Sequence, residues 1–341
     1  MMGGTVLFLT VRRKETPMRI RPLLLILAAA AAAPALAAEQ LRIASNFPTQ
    51  HTSSVAMELF KAEVEKVTSK DVAVDLFPAM QLGGAQENVD QTRSGAIFGT
   101  VIGAAFLSRT VPEISALSVP FLLTSRPQAF KVVDGKVGDL IGGKLAAKGF
   151  QLLGFMELGS RHLTNNARPI KTLADFRGLK IRLQPDDIHL AAFRALGANP
   201  VAMDIKEVYS ALQQGVLDGQ ENPYAVIRDR NFNQVQKYLT ATGHFFDFIL
   251  VVVNKKRFDS LKPEHRTAVQ ATMRNAVAKQ RADAERADTD SLADLRKRGM
   301  QFEPPSPQLI AEMQKATAGV VDLLKKKVDP ALVDAVIAQA K

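Results

Sequence analysis

Strand and helix patterns alternate between residues 41 and 102, and this order constrains the fold more than any other feature of the chain. The predicted strands are Leu41 to Ser45, Val72 to Phe77 and Phe98 to Ile102, and the predicted helices are Ser53 to Lys66 and Ala85 to Thr92. Such an order is typical of layered α/β structures, in which ligands bind at the carboxyl ends of the strands. We therefore expect an α/β fold with ligand-facing loops at residues 46–51, 78–87 and 103–106.

The composition of the 341-residue chain limits the chemistry that it can perform. The chain has no cysteine, which excludes a catalytic thiol, a redox pair and a Cys-ligated metal, and its length suffices for about two domains. The formal net charge is +10, but residues 1–38 hold five basic residues and one acid, so the remainder carries +6. Basic residues between Lys279 and Arg298 are interleaved with acids, which indicates a solvated helix face. We therefore expect no nucleic-acid binding.

A targeting segment precedes the region with regular patterns. It consists of the basic stretch Met18 to Arg21, the short apolar run Leu23 to Ala33 and the small-x-small order Ala35 to Ala37. These features predict a cleavable signal peptide, a mature chain that starts at Ala38 or Glu39, and export to the periplasm. Residues 1–38 are thus interpreted as an upstream extension and signal peptide. An uncleaved membrane anchor stays open as an alternative, as does the choice between Met1 and Met18 as the start.

The segment from Ala202 to Tyr224 combines a capped helix with a polar connection. Asp204 is a candidate N-cap, and an apolar helical stripe follows it and stops at Gly215. The residues from Asp218 to Pro223 place polar side chains in a predicted turn, where Pro223 restricts the backbone of Asn222. The pattern is compatible with an ordinary turn between two helices and with a loop that presents Asn222 to a ligand.

Two arginines mark a second informative region. Arg182 lies in a predicted strand from Leu179 to Leu183, in which Ile181 and Leu183 face one side and Arg182 faces the other. Arg161 lies in a preceding polar segment. A buried arginine is costly unless an anion meets it, and the planar guanidinium suits a carboxylate. The pattern also allows an ordinary arginine at a strand end, in a surface salt bridge.

Four segments resemble the substrate-binding proteins of tripartite ATP-independent periplasmic (TRAP) transporters, of the dicarboxylate-binding (DctP) type. The segments are Gly159 to Thr164, Gly178 to Arg182, Glu207 to Gln213 and Val216 to Pro223. The resemblance implies a two-lobed periplasmic-binding-protein fold that closes on a small organic acid. It also implies delivery of that acid to integral-membrane subunits driven by an ion gradient. We expect a monomer without cofactor, metal or catalytic residues.

The resemblance also assigns roles to individual residues. The matching positions are Arg182 as the principal carboxylate clamp, Arg161 and Asn222 as supporting donors, and Asn46 and Glu87 as less specific ligand-facing positions. Gly103 stands where some binders of amino-sugar acids have an acidic residue, which argues against that ligand. Whether the ligand is a dicarboxylate, a sugar acid, a keto acid or an aromatic acid stays open.

A crossing strand and a long helix set the predicted domain boundaries. His244 to Val253 predicts a strand that passes between two domains, and Pro263 to Gly299 predicts one helix of roughly 54 Å that lies across both. We expect domain I to comprise residues 39–160 and 248–290, and domain II to comprise residues 161–247 and 291–341. Two helices are expected after Ser306. The predicted architecture is thus two α/β domains joined by crossing strands and a domain-spanning helix.

Two other functions are compatible with an exported α/β protein. A periplasmic hydrolase needs a nucleophile and a base, but the sequence has no Gly-x-Ser-x-Gly elbow, and its five histidines lack metal-ligand spacing. Asp186, Asp187 and His189 are interpreted as the start of a helix rather than as a metal site. A binding protein of an ABC-type importer shares the two-lobed mechanism, and this alternative stays open.

Overall fold

Two β-sheets organise residues 38–341 in the computed structural model, which describes residues 1, 3–5, 7–10, 12 and 38–341. The chain divides into a unit that ends at Leu36 and a unit that begins at Ala37. In the first unit the described residues form no helix or strand. The predicted signal peptide, from Met18 to Ala37, lies outside the described residues.

Parallel and antiparallel strand pairs are mixed in both sheets. In chain order the strands of the described residues are β1 Glu39–Ser45, β2 Val72–Phe77, β3 Gly99–Gly103, β4 Phe150–Ser160, β5 His162–Asn165, β6 Lys180–Leu183, β7 Asn199–Ala202, β8 Gly219–Asn222, β9 Tyr238–Thr240, β10 Phe246–Asn254 and β11 Gln301–Glu303. The first sheet has the order β2-β1-β3-β10-β4, and the second has the order β11-β9-β5-β8-β6-β7. In the first sheet β1 runs parallel to β2 and β3, whereas β10 runs antiparallel to β3 and β4.

Helices connect the strands, which confirms the predicted α/β class. The helices of the described residues are α1 Thr52–Val67, α2 Ala85–Ser94, α3 Arg126–Val133, α4 Lys136–Ala147, α5 Asp187–Ala195, α6 Ile205–Gln213, α7 Tyr224–Asp229, α8 Lys255–Ser260, α9 Pro263–Lys297, α10 Pro307–Thr317, α11 Val320–Lys327 and α12 Pro330–Gln339. α1 and α2 match their predicted bounds within two residues. α6 begins after Asp204, whose side chain accepts a hydrogen bond from the Lys206 backbone, as the predicted cap requires.

The chain passes between the two sheets three times, twice through short connections between strands and once through helix α9. β4 ends at Ser160 and β5 begins at His162, so Arg161 is the link at the first crossing. The return crossing runs from Thr240, where β9 ends, to Phe246, where β10 begins. The part built on the first sheet is called the first lobe below, and the part built on the second sheet is called the second lobe. Every residue of β10 is buried, because this strand lies between two others in the first sheet.

The long helix α9 joins the lobes along one side. It has 35 residues, contacts α1 and β4 of the first lobe, and contacts α7 of the second lobe. A glutamine at its middle is fully buried: Gln280 Nε2 donates to the Glu157 carbonyl at 2.8 Å, and the Glu157 amide donates to Gln280 Oε1 at 2.7 Å. These bonds complete the backbone pairing of β4, and they fix the helix against the sheet.

Two predictions about local structure are wrong. Residues 218–223 do not form a turn, because Gly219–Asn222 is the buried strand β8, paired with β5 and β6. Polar side chains are tolerated in this strand since Glu221 accepts hydrogen bonds from Arg161, and Gln220 donates one to Thr164. After Ser306 the described residues form three helices rather than two. A new helix start at Pro330, capped by Asp329, separates α12 from α11.

The C-terminal helices lie against elements of both predicted domains. α12 contacts α3 and α4, which fall in predicted domain I, while α11 contacts α5, which falls in predicted domain II. Buried residues of these helices, such as Met313 and Val336, share one apolar cluster with Phe150 and Ile181. The assignment of residues 39–160 and 248–290 to one domain, and of 161–247 and 291–341 to the other, stays a prediction.

Candidate ligand-binding site

A cavity lies between the carboxyl ends of the first-sheet strands and the second lobe. About 400 Å³ of space lies between its walls, with the solvent at its open side included. Its lining residues are Asn46, Phe47, Pro48, His51, Gly103, Phe106 and Leu158 from the first lobe, and Arg182, Gln184, Ile205, Asn222, Val226, Asp229 and Arg230 from the second. Two of the three loops that the sequence predicts to face a ligand, 46–51 and 103–106, contribute to this lining.

Arg182 carries an incompletely paired positive charge at this cavity. Its side chain is fully buried, and its Nε and Nη2 atoms donate to the Met203 carbonyl at 2.9 and 2.7 Å. The remaining Nη1 is also buried and has no hydrogen-bond partner among residues 38–341. Burial, together with the nearby charges of Arg161 and Arg230, lowers the pKa of Arg182 to about 9, so the guanidinium stays protonated at neutral pH.

Arg161 is buried as deeply as Arg182, but its guanidinium is paired with carboxylates of the chain. Its Nη2 donates to Glu221 Oε1 at 2.7 Å, its Nε donates to the other Glu221 oxygen, and its Nη1 donates to Asp247 Oδ2 at 3.1 Å. Burial acts to lower the pKa of Arg161, yet the two carboxylates outweigh burial and raise it. Arg161 does not line the cavity. The structure therefore places it behind the lining, in contact with Asn222.

Asn222, predicted as a supporting donor, lines the cavity in a fixed orientation. Its Oδ1 accepts a hydrogen bond from Arg161 Nη2 at 3.2 Å, and its Nδ2 donates to Gln220 Oε1 at 2.6 Å. Because an arginine can only donate, the amide oxygen must face Arg161. The nitrogen, which carries two hydrogens, keeps a second one available for an acceptor.

The two less specific predictions have different outcomes. Asn46 is 4% exposed, lines the cavity, and has an Oδ1 atom without a partner in the described part of the chain. Glu87 lies on α2 outside the cavity lining, where its side chain is 57% exposed and accepts from the Gly84 backbone. The structure thus brings Arg182, Asn222 and Asn46 together around one cavity and leaves Glu87 at its outside.

Four further polar residues, which the sequence analysis does not single out, line the cavity. They are His51, Gln184, Asp229 and Arg230. A signal exists for Gln184, because it follows Arg182 by two residues, and extending the strand alternation by one residue past Leu183 puts the two on one face. His51 falls in a predicted ligand-facing loop. Asp229 and Arg230 lie at the end of α7, and no pattern in the sequence places them at the site.

The charge of this cavity is set by burial. Loss of water lowers the pKa of His51 to about 3, with Arg230 and Arg228 adding to the effect, so the imidazole is neutral. Burial also lowers the pKa of Arg230, although Asp204 and Asp229 oppose it. Burial raises the pKa of Asp229, which keeps one bond from Arg228 at 2.8 Å. Two arginines thus face the cavity against one acid, a balance that favours an anion.

Direct contacts join the lobes across the mouth of the cavity. Asp204 of the second lobe accepts from the Ala85 backbone of the first lobe at 2.9 Å. Arg230 Nη2 donates to the Asn46 carbonyl, and Lys206 lies 3.6 Å from Glu87. The lobes are therefore closed on each other in this structure.

The polar corner at the start of α5 is structural. Asp186 Oδ1 accepts from the backbones of Ile188 and His189 at 2.8 and 3.3 Å, which confirms the interpretation as a helix start. Within the described ranges, no three His, Asp or Glu side chains gather in the manner of metal ligands. No helix there is both long and apolar enough to cross a membrane.

Two α/β lobes that close on a cationic cavity define a solute-binding protein. The chain belongs to the bacterial extracellular solute-binding protein family 7 (DctP), whose sequence model matches residues 43–327. It is 37% identical over 246 residues to the 2,3-diketo-L-gulonate-binding periplasmic protein YiaO of Escherichia coli (strain K12), which covers 72% of this chain and 75% of that protein.

Solved structures of TRAP binding proteins share the fold. The sugar-acid-binding protein of Advenella mimigardefordensis in complex with galactonate superposes with a TM-score of 0.87 at 28% identity, covering 89% of this chain and 98% of that one. A TRAP periplasmic solute-binding protein of Polaromonas bound to D-erythronate superposes with a TM-score of 0.84 at 31% identity, covering 88% and 98% of the two chains. These comparisons confirm the resemblance to TRAP binding proteins, the two-lobed fold and a role in binding rather than catalysis. They do not favour the ABC-type alternative.

Proposed function

We propose that the protein captures a small organic acid in the cavity between its lobes, with the carboxylate of the ligand on the guanidinium of Arg182. The observation that carries the proposal is that Arg182 lines the cavity together with Asn222 and Asn46, and that its buried Nη1 atom lacks a partner within residues 38–341. A buried charge without a counter-charge is costly, and a charge-assisted hydrogen bond to a carboxylate relieves that cost.

The kind of acid is suggested by the relatives. Among the ligands of similar proteins are 2,3-diketo-L-gulonate, galactonate and D-erythronate. All three combine one carboxylate with several oxygen substituents. We propose a ligand of this general kind, held at its carboxylate end by Arg182, with Asn222 as a second donor.

Closure of the lobes is the proposed mechanism of capture. Arg182 and Asn222 belong to the second lobe, whereas Asn46 belongs to the first, so a ligand contacts all three only when the lobes meet. Such a ligand shifts the equilibrium between open and closed forms toward the closed form. Arg161 then acts as a positioning residue, because it holds Asn222 by its amide oxygen at 3.2 Å.

The setting of this function follows from the family and is part of the proposal. We propose that the protein works as a monomer in the periplasm and delivers its ligand to the integral-membrane subunits of a TRAP importer. Sequencing the N-terminus of the exported protein tests the localisation, with Ala38 or Glu39 expected as the first residue. A protein that keeps Met18 or is recovered from the cytoplasm contradicts it.

A ligand screen followed by one substitution tests the binding site. Thermal shift of the purified protein against a panel of organic acids identifies binders, because a ligand of the native state raises the melting temperature. Isothermal titration of Arg182→Ala with the tightest binder should then show a loss of affinity of about 100-fold or more. Arg281→Ala is the matched control, since Arg281 also donates twice to one carbonyl but lies away from the cavity. Unchanged affinity in Arg182→Ala contradicts the proposal.

A further inference from the structure

A buried glutamine at the cavity is fixed in one orientation. Gln184 is 3% exposed, and its Nε2 donates to Asp247 Oδ2 at 2.8 Å. The same Asp247 oxygen accepts from Arg161 Nη1 at 3.1 Å. A carboxylate paired with a guanidinium only accepts hydrogen bonds, so the amide nitrogen of Gln184 must face Asp247. The amide oxygen is therefore turned the other way, toward the cavity.

The space in front of this oxygen is kept open by a glycine. Gln184 Oε1 has no hydrogen-bond partner in the described part of the chain, although it is buried. A Cβ atom at Gly103 would lie 3.1 Å from it, closer than most such contacts, so a larger residue at position 103 would press on the amide. Both residues line the cavity. An acceptor held at this place calls for a donor on the ligand.

Two other unpaired polar atoms of the cavity are acceptors as well. Asn46 Oδ1 and Asp229 Oδ2 are buried acceptors without partners among the described residues, whereas Arg182 Nη1 is the corresponding donor. A carboxylate satisfies the donor, but a second carboxylate would face acceptors. Hydroxyl groups donate, and they satisfy these acceptors.

We propose that Gln184, oriented by Asp247, is a specificity-determining residue that selects hydroxylated monocarboxylic acids over dicarboxylic acids. This inference rests on the proposed function, because it takes the carboxylate to lie on Arg182. In an extended chain, positions 182 and 184 are about 6.6 Å apart, a separation that a carboxylate and a hydroxyl on the next few carbons bridge.

Arg230 is the cation with which the second carboxylate of a dicarboxylic acid would pair. It lines the cavity, and its Nη2 donates to the Asn46 carbonyl. A second carboxylate at Arg230 would pair with a guanidinium but would approach the adjacent Asp229, whose Oδ2 has no partner in residues 38–341. The test must therefore compare the two classes of acid at equal chain length.

Three four-carbon acids separate these possibilities. The probes are D-erythronate, which has three hydroxyls, succinate, which has a second carboxylate, and butyrate, which has neither. Isothermal titration of the full-length purified protein should show binding of D-erythronate that is at least tenfold tighter than binding of succinate or butyrate. Neither of these two acids donates a hydrogen bond to the buried acceptors, and an acceptor left unpaired lowers the affinity. Tighter binding of succinate, or binding of neither class, overturns the inference.

Substitutions then assign the discrimination to Gln184. Gln184→Met keeps the size of the side chain but removes the acceptor, and it should weaken D-erythronate about tenfold while leaving butyrate unchanged. Asp247→Asn no longer fixes the orientation of the Gln184 amide. It should reduce the ratio of the affinity for D-erythronate to the affinity for succinate. Gln236→Met is the control, since Gln236 is a buried glutamine of the same lobe that bonds to Thr164 and does not line the cavity.

The outcomes separate this inference from the proposed function. If Arg182→Ala abolishes binding but Gln184→Met leaves the preference between D-erythronate and succinate unchanged, the role of Gln184 is overturned and the carboxylate site stands. If Arg182→Ala leaves binding unchanged, the proposed function is overturned, whatever the result for Gln184→Met. An equal change of preference in Gln184→Met and Gln236→Met indicates a general structural effect and also overturns the inference.

Discussion

Arg182 and Arg281 donate to a backbone carbonyl in the same way but differ in the partner of the remaining nitrogen, Nη1. In each, Nε and Nη2 donate to one carbonyl oxygen at 2.9 and 2.7 Å, that of Met203 for Arg182 and that of Phe155 for Arg281. Arg281 Nη1 then donates to Asp134 at 2.6 Å, whereas Arg182 Nη1 has no partner among the described residues. The chain supplies the acid where the arginine serves the fold. On the proposed function, the ligand supplies the acid that pairs with Arg182.

Burial alone does not distinguish Arg182 from Arg161. Arg161 and Arg182 are both 0% exposed. Arg161 is paired by two carboxylates, from Glu221 and Asp247, while Arg182 is paired by a carbonyl alone. The distinguishing property is therefore the unpaired donor, and substitutions of these arginines test it.

The largest expected effect is on stability, from Arg161→Met. This change leaves Glu221 and Asp247 buried without their cation, which should lower the free energy of unfolding by about 3–5 kcal/mol. Arg182→Met removes a charge that has no carboxylate of the described residues in direct contact, and it should cost far less. Urea unfolding of both variants measures the difference, and equal losses would contradict the comparison.

The Arg161 effect should also depend on pH. Burial acts to raise the pKa of Glu221, but Arg161 and His244 outweigh burial and hold the pKa well below its ordinary value of 4.5. A carboxyl with a lowered pKa in the folded state stabilises the protein above its unfolded pKa and loses that contribution as the pH falls. The stability gap between wild type and Arg161→Met should therefore narrow below about pH 4.5.

The second effect is on affinity, from Arg182→Lys. The charge is kept, but an ammonium group cannot hold the Met203 carbonyl with two nitrogens and present a third to the ligand. We expect affinity for the tightest organic acid to fall by about 10- to 100-fold, measured by isothermal titration. The same change at Arg281 should leave affinity unaltered. Full affinity in Arg182→Lys would mean that charge alone suffices.

A smaller effect is expected at the contact that closes the lobes. Asp204 accepts from the Lys206 backbone at the start of α6, at 3.0 Å, and from Ala85 of the opposite lobe. Asp204→Ser keeps a good helix cap but loses the longer reach to Ala85. Stability should change little, while affinity should fall about three- to tenfold because the closed form is less populated. An affinity equal to that of the wild type would show that this contact does not support closure.

The smallest effect concerns Glu157, where the incompletely stabilised buried charge is that of an acid rather than that of an arginine. This acid is buried against the partly exposed Arg126, and burial raises its pKa to about 7 despite that arginine. Between pH 4.5 and 7 the folded state then binds more protons than the unfolded state, so this group lowers stability as the pH rises. The melting temperature of Glu157→Gln relative to wild type should therefore increase from pH 5 to pH 8. A decrease would contradict the sign.

Local patterns predict much of this arrangement, while the pairing of charges depends on contacts far apart in the chain. Strand alternation is enough to turn Arg182 away from Ile181 and Leu183, and it would also have placed Gln184 beside Arg182. The strand β8 was missed because its polar side chains are stabilised by residues such as Arg161, which lies 60 positions from Glu221 and 86 from Asp247. No local pattern distinguishes a paired arginine from an unpaired one.

The most direct measurement is a crystal structure of the protein with the tightest binder of the organic-acid panel. We expect a carboxylate oxygen of the ligand within hydrogen-bond distance of Arg182 Nη1, about 2.7–2.9 Å, with Arg161 still paired to Glu221 and Asp247. A carboxylate bound elsewhere in the cavity, with Arg182 Nη1 free of the ligand, would contradict the account.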